Sequence, residues 1–279
     1  MLDVILDALL DTLKLIPYLF ITFIVLEFIE HKLSHKNQEI LIKNKKYGPI
    51  VGGVLGALPQ CGFGTMASSL FSNKIITMGT LIAVFLSTSD EMLPIMISEQ
   101  TNIITILKII AFKVLIGIIV GFIVDLIFKR NEDSHEHISE MCEHDHCECE
   151  KEGVILSSIK HTLKIGFFIL LANLIISLII YFVGEDKLSN LLLSKNIFTY
   201  FLASLIGLIP NCASSVIITE LYLSEIITIG TLMSGLLTGS GLGILLLFKT
   251  NKDLKENLKV LSIIYFVGVI VGIIVDLVL

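Results

Sequence analysis

Two short stretches of the chain carry residues able to hold a ligand. Residues 58–64 read Leu-Pro-Gln-Cys-Gly-Phe-Gly, and residues 209–215 read Ile-Pro-Asn-Cys-Ala-Ser-Ser. Each sets a thiol (Cys61, Cys212) beside a carboxamide (Gln60, Asn211) and just after a proline (Pro59, Pro210). Proline withholds an amide donor and disrupts a helix, and Gly62 permits a tight turn in the first copy. Hydroxyls extend the donor set: Thr65, Ser214 and Ser215 beside the turns, and Ser87, Thr88, Ser89, Thr238 and Ser240 further on. Sulfur with neutral oxygen donors suits a soft, polarisable solute such as trivalent arsenic or antimony, or a thiophilic cation. A single cysteine in such a setting is more often a small residue that lets helices approach, as Gly, Ala and Ser do. Two at matched positions, each beside Pro and an amide, favour a ligand role.

The matching runs through the chain. Ile-Ile-Thr-Met-Gly-Thr-Leu at 75–81 returns as Ile-Ile-Thr-Ile-Gly-Thr-Leu at 226–232, an offset of 151. Residues 107–128 and 258–279 keep that offset, with Val-Asp-Leu near both ends, and Thr12-Leu13-Lys14 matches Thr162-Leu163-Lys164 at 150. The sequence is a duplication, read here as 1–130 and 153–279 joined by a linker at 131–152.

Composition sets the class. The chain is 54% hydrophobic and 16% charged, where a soluble domain carries nearer about a quarter charged. Its apolar residues lie in blocks of about 18–25, the length that crosses a hydrocarbon core. Acidic Asp3, Asp7 and Asp11 stand where a cleaved signal would begin with Lys or Arg, so the first block is expected to be a retained span. An acidic balance without a basic aromatic stripe argues against nucleic acid as a partner. No nucleotide-binding loop, His-Glu-x-x-His or Gly-x-Ser-x-Gly motif occurs, so neither a cofactor nor an enzyme is expected.

The elements that must position the turns follow in order. Residues 12–29 read as a first span, followed by a loop rich in Lys32, Lys36, Lys43, Lys45 and Lys46. Residues 48–72 are broken at Pro59-Gln60-Cys61-Gly62 into two limbs too short to cross a bilayer singly. A re-entrant hairpin is the natural reading, and a kinked full span competes with it. Residues 75–98 are interrupted by Ser87-Thr88-Ser89-Asp90-Glu91, and 103–128 make a long last span. The second copy offers 161–183, 197–222 broken at Pro210, 226–248 broken at Thr238-Gly239-Ser240-Gly241, and 258–279.

Lysine-rich loops mark the cytoplasmic side. They fall at 31–47 in the first copy and at 249–259 in the second, which are not equivalent positions. Such alternation fits two inverted five-helix repeats whose re-entrant or broken helices meet at the midplane, an all-α plan recurrent in secondary transporters. Four full spans per copy would give parallel repeats instead.

The linker packs His135, His137, Cys142, His144, His146, Cys147 and Cys149 among nine acids. Imidazole and thiolate suit Zn, Cu or Ni, so the segment reads as a metal-capturing tether, with a plain solvated tether as the alternative. Asp90 and Glu91 stand mid-block where the second copy has Gly241 and Leu242. Intramembrane carboxylates mark ion or proton paths, which makes these two, and more weakly Glu220, candidate coupling groups; helix-end residues at the interface are the alternative. Asp125 and Asp276, near span ends, read as interfacial anchors. Lys113 either pairs with a carboxylate or snorkels.

The run from Pro-Gln-Cys-Gly-Phe-Gly to Leu-Ser-Thr-Ser-Asp-Glu, with its echo from Pro-Asn-Cys-Ala-Ser-Ser to Thr-Gly-Ser-Gly-Leu-Gly, resembles the ten-helix heavy-metal exporters. That family is also labelled arsenic efflux protein or manganese transporter, and the chain is more distantly similar to organoarsenical permeases. The resemblance implies metal or metalloid efflux. The expectation is thus a multi-pass transporter of the cell membrane, driven by an ion gradient. Its expected partners are lipid, a metal or metalloid substrate and a proton or other coupling ion, with a homo-oligomer left open. Two rivals stand beside it: a transmembrane thiol-disulfide electron conduit using Cys61 and Cys212, which needs their Cα atoms within about 7 Å, and a passive channel.

Overall fold

The computed structural model describes residues 47–58, 61–89, 92–128 and 197–278, with scattered helical positions between 9 and 24 and between 159 and 175. Ten helices lie in the long described stretches. The first copy gives α1 (Gly48–Gly56), α2 (Cys61–Ser72), α3 (Met78–Ser87), α4 (Met92–Ser98) and α5 (Ile103–Ile127). The second gives α6 (Phe198–Gly207), α7 (Cys212–Leu223), α8 (Ile229–Thr238), α9 (Leu242–Thr250) and α10 (Leu254–Val278). The protein is all-helical among the described residues. The interruptions at 88–91, 208–211 and 239–241 fall where the sequence places a hydroxyl run, Pro or Gly.

Among the described residues, four stretches are long and apolar enough to cross a membrane: Met78–Ser98 and Ile229–Thr250, each containing a break, and the continuous Ile103–Ile127 and Leu254–Val278. They divide into two classes. The broken pair are 75% and 78% buried inside the protein, against 22% and 39% for the continuous pair. The broken spans therefore form the centre, and α5 and α10 turn leucines and isoleucines such as Leu115, Ile119, Ile270 and Ile274 outward. With no water-driven force between helices in lipid, close packing and hydrogen bonds must hold such a bundle.

Repeat-related contacts supply both. The side chain of Thr77 caps α3 by accepting from Thr80 N, and Thr228 does the same for α8 from Thr231 N. Each capping threonine donates to a carboxylate on the long helix of its own half: Thr77 to Asp125 at 2.7 Å, and Thr228 to Asp276. Backbone amides complete the pair, Gly79 N to Asp125 and Gly230 N to Asp276, both at 2.8 Å. A carboxylate at a helix N-terminus meets the free amides and the positive end of the helix dipole. Asp125 and Asp276 thus do more than anchor span ends at an interface: they staple α3 to α5 and α8 to α10. A Cβ on Gly79 would lie 2.0 Å from Gly121 O, and one on Gly230 would lie 2.3 Å from Gly272 O. Only glycine lets the two backbones come this close.

The two copies also exchange partners. The helix after one copy's proline turn packs on the helix after the other copy's break, α2 on α9 and α7 on α4. Ser68 Oγ donates to Gly243 O at 2.7 Å, Ser72 and Thr250 hydroxyls lie 2.6 Å apart, and Gly64 faces Gly243. One boundary departs from the sequence reading. The second basic loop is shorter than 249–259, because Asp253 Oδ1 accepts from Lys255 N and Glu256 N and starts α10 at Leu254. Polar residues there suggest loop, but they occupy a capped first turn.

Candidate functional site

A small cavity opens where the interruptions of the two copies meet. Thr88, Ser89 and Met92 line it from the α3–α4 break, Asn211, Ser214 and Ser215 from the second proline turn, and Leu236, Gly239 and Gly241 from the α8–α9 break. Local chemistry explains each wall. Asn211 N bonds Ile209 O at 2.7 Å, which folds the turn tightly before α7, and Ser214 Oγ donates back to Asn211 O at 2.9 Å. Thr88 Oγ1 donates to Val84 O at 2.8 Å, and Ser89 Oγ to Ser87 O at 3.2 Å. Gly241 has φ 53° and ψ −143°, a region open to glycine and little else.

Because these hydroxyls donate their protons to their own backbone, their oxygen lone pairs remain as acceptors. The described wall is consequently a neutral surface of hydroxyl oxygens, one carboxamide and one thioether. It can coordinate a cation weakly, or accept hydrogen bonds from a neutral hydroxylated solute.

Of the residues singled out from the sequence, Thr88, Ser89, Asn211, Ser214 and Ser215 come together here. Ser87, Thr238 and Ser240 are buried at the breaks, but their hydroxyls serve their own helix ends and do not line the cavity. Gly62 is buried in the first turn of α2, where its carbonyl accepts from Thr65 Oγ1 at 2.9 Å. Pro210 lies in the turn behind Asn211. Glu220 is exposed on α7 and takes no part in the lining. Pro59, Gln60, Asp90, Glu91 and the linker ligands His135 to Cys149 lie outside the described residues, as do the side chains of Cys61 and Cys212. Among the described residues no three of His, Cys, Asp and Glu converge on one point.

Two residues at the cavity escaped the sequence reading. Met92, fully buried, brings a thioether where the second copy has Gly243; nothing in an apolar helix start announces it. Lys113 was noticed but not placed. It is fully buried on α5, and its ammonium donates to Thr88 O and, at 2.9 Å, to Leu236 O. It does not snorkel.

Residues 1–186 match the model of a family described as "Putative, 10TM heavy-metal exporter". The chain belongs to this family. No curated protein and no solved structure matches it. The family is described by ten membrane helices; the described residues hold ten helices, and four stretches among them are long and apolar enough to cross a membrane.

Proposed function

We propose that the protein exports a heavy-metal ion or metalloid across the cell membrane by ion-gradient-driven alternating access, with the substrate held between the two sets of helix breaks. The observation that carries this reading is the cavity walled jointly by the breaks of both copies, whose threonine–aspartate staples are otherwise duplicated. Backbone irregularity at membrane depth is tolerated only where protein or a polar cavity satisfies it, and broken helices around a midplane site are a transporter plan. Inverted repeats would bring the two Pro-x-Cys turns toward one another, with Cys61 and Cys212 as soft ligands beside Gln60 and Asn211. Asp90 and Glu91 are the proposed coupling pair, since one charged site opposite Gly241 and Leu242 makes the cycle directional. The linker would raise metal concentration at the pore mouth.

The test is transport into inside-out vesicles, with arsenite, Mn(II), Zn(II) and Cu(I) compared with and without a proton gradient. Gradient-dependent accumulation of a thiophilic probe is expected. Absence of accumulation for all four, with the protein present and folded, would defeat the reading.

A further inference from the structure

Among the described residues, the buried side chain of Lys113 ties the end of a broken span in one copy to the end of a broken span in the other. Thr88 is the C-cap of α3, and Leu236 lies in the last turn of α8. The amide of Ser240, which a continuous helix would direct to Leu236 O, bonds Thr238 O instead. Carbonyls at helix C-termini lack helical partners and carry partial negative charge, so an ammonium complements both. Thr88 and Leu236 also line the cavity.

The two bonds are not equivalent. α5 is locked to α3 by Gly117 against Ala83 O, by Gly121 against Gly79 O and by the Asp125 staple. The bond to Thr88 O therefore lies within one packed unit. The bond to Leu236 O crosses between copies, over a separation of 123 residues. Its repeat counterpart, Ile264, is fully buried and has nothing to donate. The tie is one-sided. A buried lysine within a membrane span is costly and marks function by default.

We propose that Lys113 is a latch across the cavity: its bond to Leu236 O holds the two broken spans together, and each opening of the cavity releases it. This rests on the transport reading above. Lys113 is a positioning residue in this role, setting how often the cavity opens through its two carbonyl bonds.

The test uses the full-length protein in proteoliposomes, with Ser214→Cys as a reporter on the cavity wall. Its reaction with a methanethiosulfonate reagent is followed at that residue by mass spectrometry, without substrate. Lys113→Met keeps the length of the side chain but donates nothing, and should raise the labelling rate about tenfold or more, the factor expected from losing a charge-assisted hydrogen bond. Lys113→Arg keeps the donors and should label near the parent rate. In the otherwise unaltered protein, Lys113→Met should shift the half-saturation concentration of arsenite transport, because apparent affinity follows the fraction of open cavity, and Lys113→Arg should leave it near the parent value. Equal labelling of the Met and Arg variants overturns the latch. Should Lys113→Met not assemble, Lys113→Gln is judged by the same criterion, and failure of both to assemble overturns it too, because the lysine is then purely structural. Raised labelling in a protein that carries no arsenite counts against that substrate and not against the latch.

Discussion

The two copies are most alike at their frames and least alike at their breaks. Thr77, Gly79, Thr80 and Asp125 repeat as Thr228, Gly230, Thr231 and Asp276 with the same donors and acceptors, and Asp276 accepts one bond more, from the Tyr200 hydroxyl at 2.8 Å. Even the turns leaving α2 and α7 match: Lys74 and Glu225, both at positive φ, close the same pair of backbone bonds. At the breaks the first copy carries Asp90, Glu91 and Met92 in sequence, with Lys113 on α5; the second has Gly241, Leu242, Gly243 and Ile264 at the matching positions. Duplication therefore preserved the parts that hold helices together and let the helix breaks diverge. Charge was placed on one side only.

The largest effect tests the shared frame. Gly79→Leu and Gly230→Leu should each abolish recovery of monodisperse protein, because the obstacle is backbone; the cost exceeds the roughly 1–3 kcal/mol typical of core overpacking. A protein that tolerates one and not the other would break the equivalence of the frames. Next, Asp90→Gly combined with Glu91→Leu gives the first break the residues of the second. Uphill export should fall by about tenfold or more while substrate binding stays detectable by calorimetry. Full uphill transport would remove the functional asymmetry and return the two acids to the helix ends.

Cys61→Ser and Cys212→Ser compare the proline turns directly. Each should weaken apparent affinity for a thiophilic probe by about 10-fold or more, as ligand-shell changes do at metal sites, with assembly unchanged. Wild-type transport by the double variant would leave the turns as backbone features only. Asp125→Asn and Asp276→Asn should cost about 1–3 kcal/mol each, seen as similar drops in thermal stability in detergent; unequal drops would show that one staple carries more. Deleting 131–152 should have the smallest effect, a few-fold loss of apparent affinity at low metal with the maximal rate retained. Loss of transport at saturating metal would make the linker part of the machine.

The positions of the breaks were legible in the sequence because they rest on local chemistry. Pro210, the hydroxyl run at 87–89 and Gly239 to Gly241 weaken a helix through their own local chemistry. The staples were not, since Thr77 and Asp125 are 48 residues apart and pairing at that range leaves no periodic mark. A signal did exist: Thr-x-Gly-Thr and Val-Asp-Leu recur at one common offset, which is what a conserved contact between them requires. Lys113 was undecidable for another reason. Its acceptors are backbone carbonyls, available at any residue, and only the ending of two helices beside it frees them. The start of α10 was misplaced because Lys255, Glu256 and Asn257 resemble loop, and the cap that makes them helical is one residue, Asp253.

The exchange of partners between α2 and α9 also has a consequence for how the protein is made. Ser68 and Gly243 are 175 residues apart, and ribosomes add about 5–20 residues per second, so the bonding surface of α2 waits roughly 9–35 s before its partner exists. Throughout that interval the hydroxyls of Ser68 and Ser72 sit in a nascent membrane segment. They are tolerated there because each can turn back to a carbonyl of its own helix, Gly64 O and Ser68 O. The same serines that later join the copies thus keep the unfinished first half insertable, and final assembly can begin only once the end of the second copy has left the translocon.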